Sequence, residues 1–172
     1  MIFDIYLKGG SSKKILVTAM EKIFNLSSGR IGHLFDEGEY EFFYSYEVFG
    51  KKNSFYKKIE LYPSNDLLLQ TGMYNELIFG MEMSKVLREE IIISDHSDDP
   101  YRWILINPNG NIFLIEEDAT YEGPEIILDL SISPRLLSYE KVLQLFPGRE
   151  YLLSGKQLEA IPSKILEDCI IE

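Results

Sequence analysis

The segment WILINPNGNIFLI, residues 103–115, carries the strongest fold signal in this chain of 172 residues. The strands that it predicts, Tyr101–Ile106 and Asn111–Ile115, flank the turn segment Asn107–Gly110. Asn first, Pro second and Gly fourth are typical of a type I turn, and Gly110 is free to adopt a positive φ. Because each strand contains a continuous apolar run, both faces of this hairpin should be covered. We therefore expect a β-hairpin in the interior of a sheet.

The rest of the chain is assigned to strands or helices by its apolar periodicity. Strands are predicted at Ile2–Leu7, 40–48, Phe55–Tyr62, Ile91–Ile93 and Glu125–Ile132. Helices are predicted at 12–25, 74–89, 138–146 and 162–168. Gly80 weakens the prediction of the second helix, because glycine is unfavourable in a helix interior. The segment 25–32 is expected to be a loop, and 50–53 the turn of a second hairpin. The order favours a single α+β domain over 1–172, with a largely antiparallel central sheet and helices near both ends of the chain.

Composition points to a cytoplasmic protein. The chain starts without a basic segment followed by a long apolar run, so no signal peptide is predicted. No stretch approaches the roughly 18 consecutive apolar residues of a membrane span. Cys169 is the only cysteine, which excludes an intramolecular disulfide and a Cys-based zinc site within one chain. We expect it to be a small buried hydrophobe.

Negative charge is concentrated in the second half of the chain. The formal net charge is −11, and residues 89–129 contain 11 Asp and Glu residues against one base, Arg102. Such a field repels nucleic-acid phosphates and anionic membranes, so neither is an expected partner. It attracts a basic protein and speeds association with it. The alternative is a solvated acidic surface that keeps the protein soluble.

Three segments could carry chemistry, but none matches a catalytic or metal-binding motif. Residues 9–14, GGSSKK, could hold a phosphate at a helix start, although the spacing is not that of a P-loop. Residues 95–99, DHSDD, place one imidazole among carboxylates without the pattern of an EF-hand. His33 is the only other histidine and is expected in a loop. We interpret the segments as a capped turn, an acidic surface loop and an ordinary polar residue, and expect no catalytic residue, metal or cofactor.

An aromatic stripe follows the predicted strand 40–48. Tyr40, Phe42, Tyr44 and Tyr46 alternate with residues that include Glu41 and Glu47. Stacking of nucleic-acid bases on such a stripe needs a basic groove, which the charge of the chain opposes. Core packing or a protein interface therefore remains as its role.

The segment 91–118 suggests a functional class. It comprises a short strand, the acidic sequence DHSDDPYRW at 95–103, the Asn-Pro-Asn-Gly hairpin and Glu116-Glu117-Asp118. In overall character this small, acidic, aromatic-rich domain resembles the immunity proteins of bacterial contact-dependent and related polymorphic toxin systems. The resemblance implies a cytosolic protein that binds one cognate toxin, often a nuclease, and blocks its active site or substrate groove. Carboxylates would then face the Lys and Arg residues of the toxin in place of phosphates.

On this hypothesis the partner is bound by the acidic loop and the adjoining ends of the hairpin. The expected partner-binding residues are Asp95, Asp98, Asp99, Glu116, Glu117 and Asp118, with Tyr101 as an aromatic anchor. Two other readings stay open. One is a small enzyme or ligand-binding domain whose pocket is lined by Asp95, His96 or His33, and the other is an adaptor subunit of a larger assembly. Nothing in the sequence fixes the oligomeric state.

Overall fold

A computed structural model describes residues 2–50, 55–154 and 160–171 of the chain. Within these ranges eight strands form one sheet: β1 (Phe3–Leu7), β2 (Ile31–His33), β3 (Phe42–Val48), β4 (Lys57–Tyr62), β5 (Ile91–Ser94), β6 (Arg102–Ile106), β7 (Ile112–Glu116) and β8 (Arg135–Leu136). Their order is β2-β3-β4-β1-β5-β6-β7-β8. Neighbouring strands are antiparallel except for the pair β2 and β3. The predicted α+β class and largely antiparallel sheet are confirmed.

Six helices are present among the described residues: α1 (Lys13–Ile23), α2 (Asn65–Thr71), α3 (Glu76–Leu87), α4 (Tyr139–Leu143), α5 (Arg149–Ser154) and α6 (Ser163–Glu167). The first three begin with side-chain caps, in which Ser12, Ser64 and Asn75 accept a backbone N–H three residues on. The larger core lies between the helices and one face of the sheet. It contains Phe42 and Tyr44, so the aromatic stripe is core-facing at these positions.

The hairpin of β6 and β7 forms around the turn Asn107–Gly110, as predicted. The amide of Gly110 donates to the carbonyl oxygen of Asn107 at 3.0 Å, and Gly110 has a φ of 82°. The Asn107 side chain accepts the amides of Asn109 and Asn111, each at 3.0 Å, which fixes the turn from inside. A second core, composed of Phe55, Ile92, Leu105, Ile115 and Ile126, covers the opposite face of the sheet at β5–β7. Both faces of the hairpin are therefore buried.

The sequence prediction is wrong for several short elements. Residues 125–132 form no strand and contribute only single bridges, from Ile126 to Phe55 and from Leu128 to Glu117. His33 ends the short strand β2 instead of lying in a loop. The elements β2, β8, α2 and α5 are not among the predicted ones. The second predicted hairpin is confirmed by the pairing of β3 with β4, although Lys51–Asn53 of its turn lie outside the described residues.

Gly80 lies inside α3 because the helix packs closely on the sheet. A Cβ atom at this position would lie 2.8 Å from Cδ1 of Ile106 and 3.2 Å from Cγ2 of Ile93. The glycine that weakens the helix prediction thus permits the close approach of α3 to β5 and β6.

Candidate functional site

The hairpin register gathers most of the predicted partner-binding residues at one end of β6 and β7. The amide of Glu117 donates to the carbonyl oxygen of Tyr101 at 2.9 Å, and Asp99 accepts the amide of Tyr101 at 3.0 Å. The Tyr101 side chain is 46% exposed. Because Glu116 is paired with Arg102 across the two strands, the loop before β6 and the residues after β7 lie side by side.

Asp95 does not belong to this surface, and its assignment as a partner-binding residue is wrong. It is only 2% exposed because it directly follows the buried strand β5 and turns inward. Its Oδ1 accepts the amide of Ser97 at 2.8 Å, and its Oδ2 lies 3.7 Å from Nε of the buried Arg102. Burial raises the pKa of Asp95, against the hydrogen bonds from Ser97 and the charge of Arg102. Its carboxyl group therefore contacts buried groups of the protein itself and is not exposed to a partner.

Asp98 is exposed and also binds the C-terminal segment. Its Oδ1 accepts the amide of Ser163 at 2.9 Å together with the hydroxyl of the same residue. These hydrogen bonds hold the pKa of Asp98 below its ordinary range, so the group stays ionised. The backbone of Ile161 is bonded to this loop as well, through His96 at 2.7 Å and Asp98 at 3.1 Å. The acidic loop is thus a fixed surface.

Two tight turns follow β7, and each is built around an aspartate. Asp118 accepts the amide of Thr120 at 2.9 Å and its hydroxyl at 2.6 Å. Asp129 does the same for Ser131, at 2.8 and 2.6 Å. The hydrogen bonds from Thr120 lower the pKa of Asp118, so its charge persists to acid pH. Such local hydrogen bonds compete with a strand ladder, and those of Asp129 turn the chain at the end of the segment 125–132.

The second turn presents an apolar side chain among these charges. Leu130, between Asp129 and Ser131, is 94% exposed, and Ile132 close by is also exposed. The amide of Asp129 donates to the carbonyl oxygen of Glu116 at 2.9 Å, which ties this tip to the end of β7. We call residues 116–118 and 129–132 the acidic corner. Its carboxylates come from Glu116, Glu117, Asp118 and Asp129, and the Glu116 carboxylate lies 3.3 Å from Arg135.

Leu130 and Ile132 are not among the predicted binding residues, because the apolar residues of 125–132 predict a strand there. A signal was present in the repeated pattern of Asp, any residue, then Ser or Thr, at 118–120 and 129–131. The pattern also occurs at 95–97, and at all three places the Asp side chain accepts the amide two residues on, which favours a tight turn over a strand.

Glu117 connects the acidic corner to Trp103 and Tyr6, on the face of the sheet that carries the second core. It accepts the indole N–H of Trp103, whose ring meets that of Tyr6 edge-on at a centroid distance of 5.5 Å. Burial raises the pKa of Glu117, and the hydrogen bond from Trp103 opposes this effect only in part. Trp103 is the only tryptophan in the chain, so its fluorescence reports on this carboxyl group.

The fluorescence of Trp103 is expected to titrate with a midpoint above 4.5, the ordinary pKa of a glutamate. A raised pKa in the folded state means that the free energy of unfolding should fall as pH rises from the unfolded to the folded pKa of Glu117. A fluorescence titration of the native protein measures the midpoint. Glu117→Gln should abolish the transition, whereas an unchanged transition in this variant would assign it to another group.

A polar network outside the predicted binding residues occupies the face of the sheet opposite the helices, across β1 and β4. Lys58 Nζ lies 3.4 Å from Asp4 Oδ2 and donates to Glu60, which also accepts the hydroxyl of Tyr62 at 2.8 Å. Burial lowers the pKa of Lys58, but the Glu60 hydrogen bond and the phenol of Tyr6 outweigh it and the pKa is raised. These residues alternate with core residues along both strands. The alternation of polar and apolar residues in the sequence therefore predicts that they share the face opposite the core.

The two histidines lie in structural contacts. Nε2 of His96 lies 2.8 Å from Oε2 of the buried Glu76, and its ring packs on Phe146 at 5.4 Å. The ring of His33 meets that of Tyr44 at 5.4 Å. The described residues contain no group of three or more His, Cys, Asp or Glu side chains that could hold a metal ion.

The loop at residues 9–14 already contains an anion from the protein itself. The Glu89 carboxylate accepts the amide of Ser11 at 2.9 Å and its hydroxyl at 2.6 Å, while Ser12 caps α1. Lys57 Nζ donates to the carbonyl oxygens of Gly9 and Ser11, at 2.6 and 2.8 Å. A phosphate at this helix start would have to displace Glu89, which supports the interpretation as a capped turn.

Three clefts formed by described residues lie elsewhere: at the end of α1 beside α2, around residues 145–154, and between α1 and α3. None of these three is lined by Asp95, His96 or His33, the residues that the enzyme hypothesis requires.

Buried Cys169 has a pKa raised by burial, as expected for an unreactive thiol.

No family model, curated protein or solved structure matches this chain. Among the described helices, none is long and apolar enough to cross a membrane.

Proposed function

We propose that this protein binds a basic protein through the acidic corner and blocks it, in the manner of an immunity protein that neutralises a toxin. On this proposal the protein is not an enzyme and acts by covering a surface of its partner. The residues that we assign to binding are Asp98, Asp99, Tyr101 and the acidic corner.

The observation that carries the proposal is the exposure of Leu130 on a rigid, charged turn. An almost fully exposed leucine gains nothing for the fold, because apolar burial is what makes such a side chain stabilising. Protein interfaces are built from apolar anchors that are surrounded by a polar rim. Leu130 with its flanking carboxylates has this anatomy, and hydrogen bonds within the turn keep it in place before a partner arrives.

The charge of the surrounding surface supports a basic partner. Arg102, the only base in 89–129, is buried and lies between Asp95 and Glu167, at 3.7 and 3.5 Å. Arg102 therefore does not oppose the acidic corner, where Arg135 pairs with Glu116 and leaves Glu117, Asp118 and Asp129 without a described basic ion-pair partner. In a nuclease toxin, the Lys and Arg side chains that bind phosphate would pair with these carboxylates.

The proposal is tested by capture of the partner from native host lysate on the immobilised protein, at low and at moderate salt. Asp118→Asn and Asp129→Asn in the acidic corner, with Glu122→Gln at an exposed acid in the segment between the two turns, together remove three charges. Both Asn residues keep the oxygen that accepts the turn hydrogen bonds. The matched control neutralises three exposed acids on helices, Asp66→Asn, Glu140→Gln and Glu150→Gln. We expect the wild type and the control to retain the same basic protein, identified by mass spectrometry and released by salt.

The neutralised variant should lose this protein, and addition of wild-type protein should inhibit whatever activity the captured protein has. Equal capture by the neutralised variant would contradict the proposed site. Capture of a partner whose activity is unchanged in the complex would contradict the blocking function while leaving the binding surface in place.

A further inference from the structure

A second exposed apolar anchor lies at the opposite end of the sheet, in the loop that follows β2. Phe35 is 85% exposed, and Leu34 beside it is also exposed. The strand order places β2 at one end of the sheet and β7 and β8 at the other. This anchor is therefore separate from the acidic corner.

The loop that presents Phe35 is held in one conformation. The amide of His33 donates to Asp36 Oδ2 and the amide of Asp36 donates to the carbonyl oxygen of His33, both at 2.8 Å. The Tyr40 ring lies so close to Gly32 that a Cβ atom there would approach it to 2.4 Å. Ordering before contact reduces the entropy cost of binding, so a fixed exposed aromatic side chain is suited to serve as an anchor.

Three exposed acids, Asp36, Glu37 and Glu39, follow Phe35 in the sequence, while Glu41 is paired with Arg30. A complementary surface must therefore combine an apolar cavity with positive charge.

The chain itself has such a surface, in the cleft between α1 and α3. Ile15, Ala19, Val86 and Leu87 form its apolar lining, and Lys14 and Lys22 line it from α1. Its volume of about 260 Å³ is below the roughly 300 Å³ at which small-molecule pockets begin, so it suits a single large side chain. Ile15 is 51% exposed there, which leaves apolar area for a partner to cover.

We infer that Phe35 of one copy inserts into the α1–α3 cleft of a second copy. The start of α1, which contributes Lys14 to the cleft, lies near the end of β2, since Lys13 Nζ is 5.6 Å from the centre of the Tyr44 ring and that ring is 5.4 Å from the His33 ring. Adjacent complementary features allow a two-fold dimer in which each contact is made twice. Each contact would pair Glu37 and Glu39 with Lys14 and Lys22 of the other copy.

Sedimentation velocity over a range of protein concentrations tests this dimer. We expect the wild type to dimerise and Phe35→Ala to raise the dimer dissociation constant by about 900-fold, because the dimer loses one hot spot, each contributing about 30-fold, in both of its contacts. Lys14→Glu with Lys22→Glu, and separately Glu37→Lys with Glu39→Lys, should each give monomers, because like charges then meet in both contacts.

An equimolar mixture of these two charge-reversed proteins should restore the dimer, since every contact in a mixed pair is again complementary. Circular dichroism checks that each variant is folded. A wild type that stays monomeric at all concentrations would overturn the inference, as would a dimer that the Phe35 and charge variants do not weaken. Either result would leave the acidic corner and its basic partner untouched.

Discussion

Replacement of Leu130 by Ser is expected to weaken binding of the basic partner by about 30-fold or more. A central anchor at a protein interface typically contributes at least about 2 kcal/mol, which corresponds to this change in dissociation constant. The fold should not change, because the side chain is 94% exposed and substitutions at such positions shift stability by less than about 0.5 kcal/mol. Isothermal titration calorimetry with the captured partner gives the affinity.

Leu153→Ser is the matched control, since Leu153 is also strongly exposed but belongs to α5. It should bind the partner with wild-type affinity. If Leu130→Ser and Leu153→Ser have the same affinity as the wild type, Leu130 is not an anchor and the acidic corner contributes charge alone.

Phe79→Ala is expected to lower the free energy of unfolding by about 3–5 kcal/mol, the usual cost of truncating a buried phenylalanine. Phe79 is fully buried, and its ring stacks on those of Phe3 at 5.8 Å and Phe24 at 5.6 Å. It thereby joins α3 to β1 and α1 at the centre of the larger core. Chemical denaturation followed by circular dichroism measures the change.

Phe35→Ala provides the comparison for the same chemical change at an exposed position, and its monomer should unfold at nearly the wild-type denaturant concentration. A loss below about 1 kcal/mol for Phe79→Ala would mean that the stacked aromatic cluster does not hold the helices on the sheet.

The sequence was sufficient to predict an element where its residue types strongly favour one local structure. Asn107 and Gly110 determined the turn of the central hairpin, and the apolar runs beside it indicated burial on both faces. The short elements β2, β8 and α2 could not be found in this way, because two to seven residues give too little periodicity to read. Their formation depends on neighbouring strands and helices that are distant in the sequence.

The candidate site was predictable in part. The hairpin register was enough to place Glu116 and Glu117 beside Tyr101. Asp95 was misplaced because the direction of a side chain at the end of a buried strand depends on its partner, Arg102, whose own burial the sequence does not reveal. Leu130 was overlooked because the hydrogen bonds of Asp129 redirect the chain into a turn.

The most direct test of the central claim is the rate at which the protein associates with its captured partner, measured against ionic strength. An acidic corner that attracts a basic surface predicts a rate that falls steeply with salt for the wild type. The variant with Asp118→Asn, Glu122→Gln and Asp129→Asn should associate more slowly at low salt and depend less on it, whereas the control with three neutralised helix acids should follow the wild type more closely. Equal rates for all three proteins at every salt concentration would contradict the account.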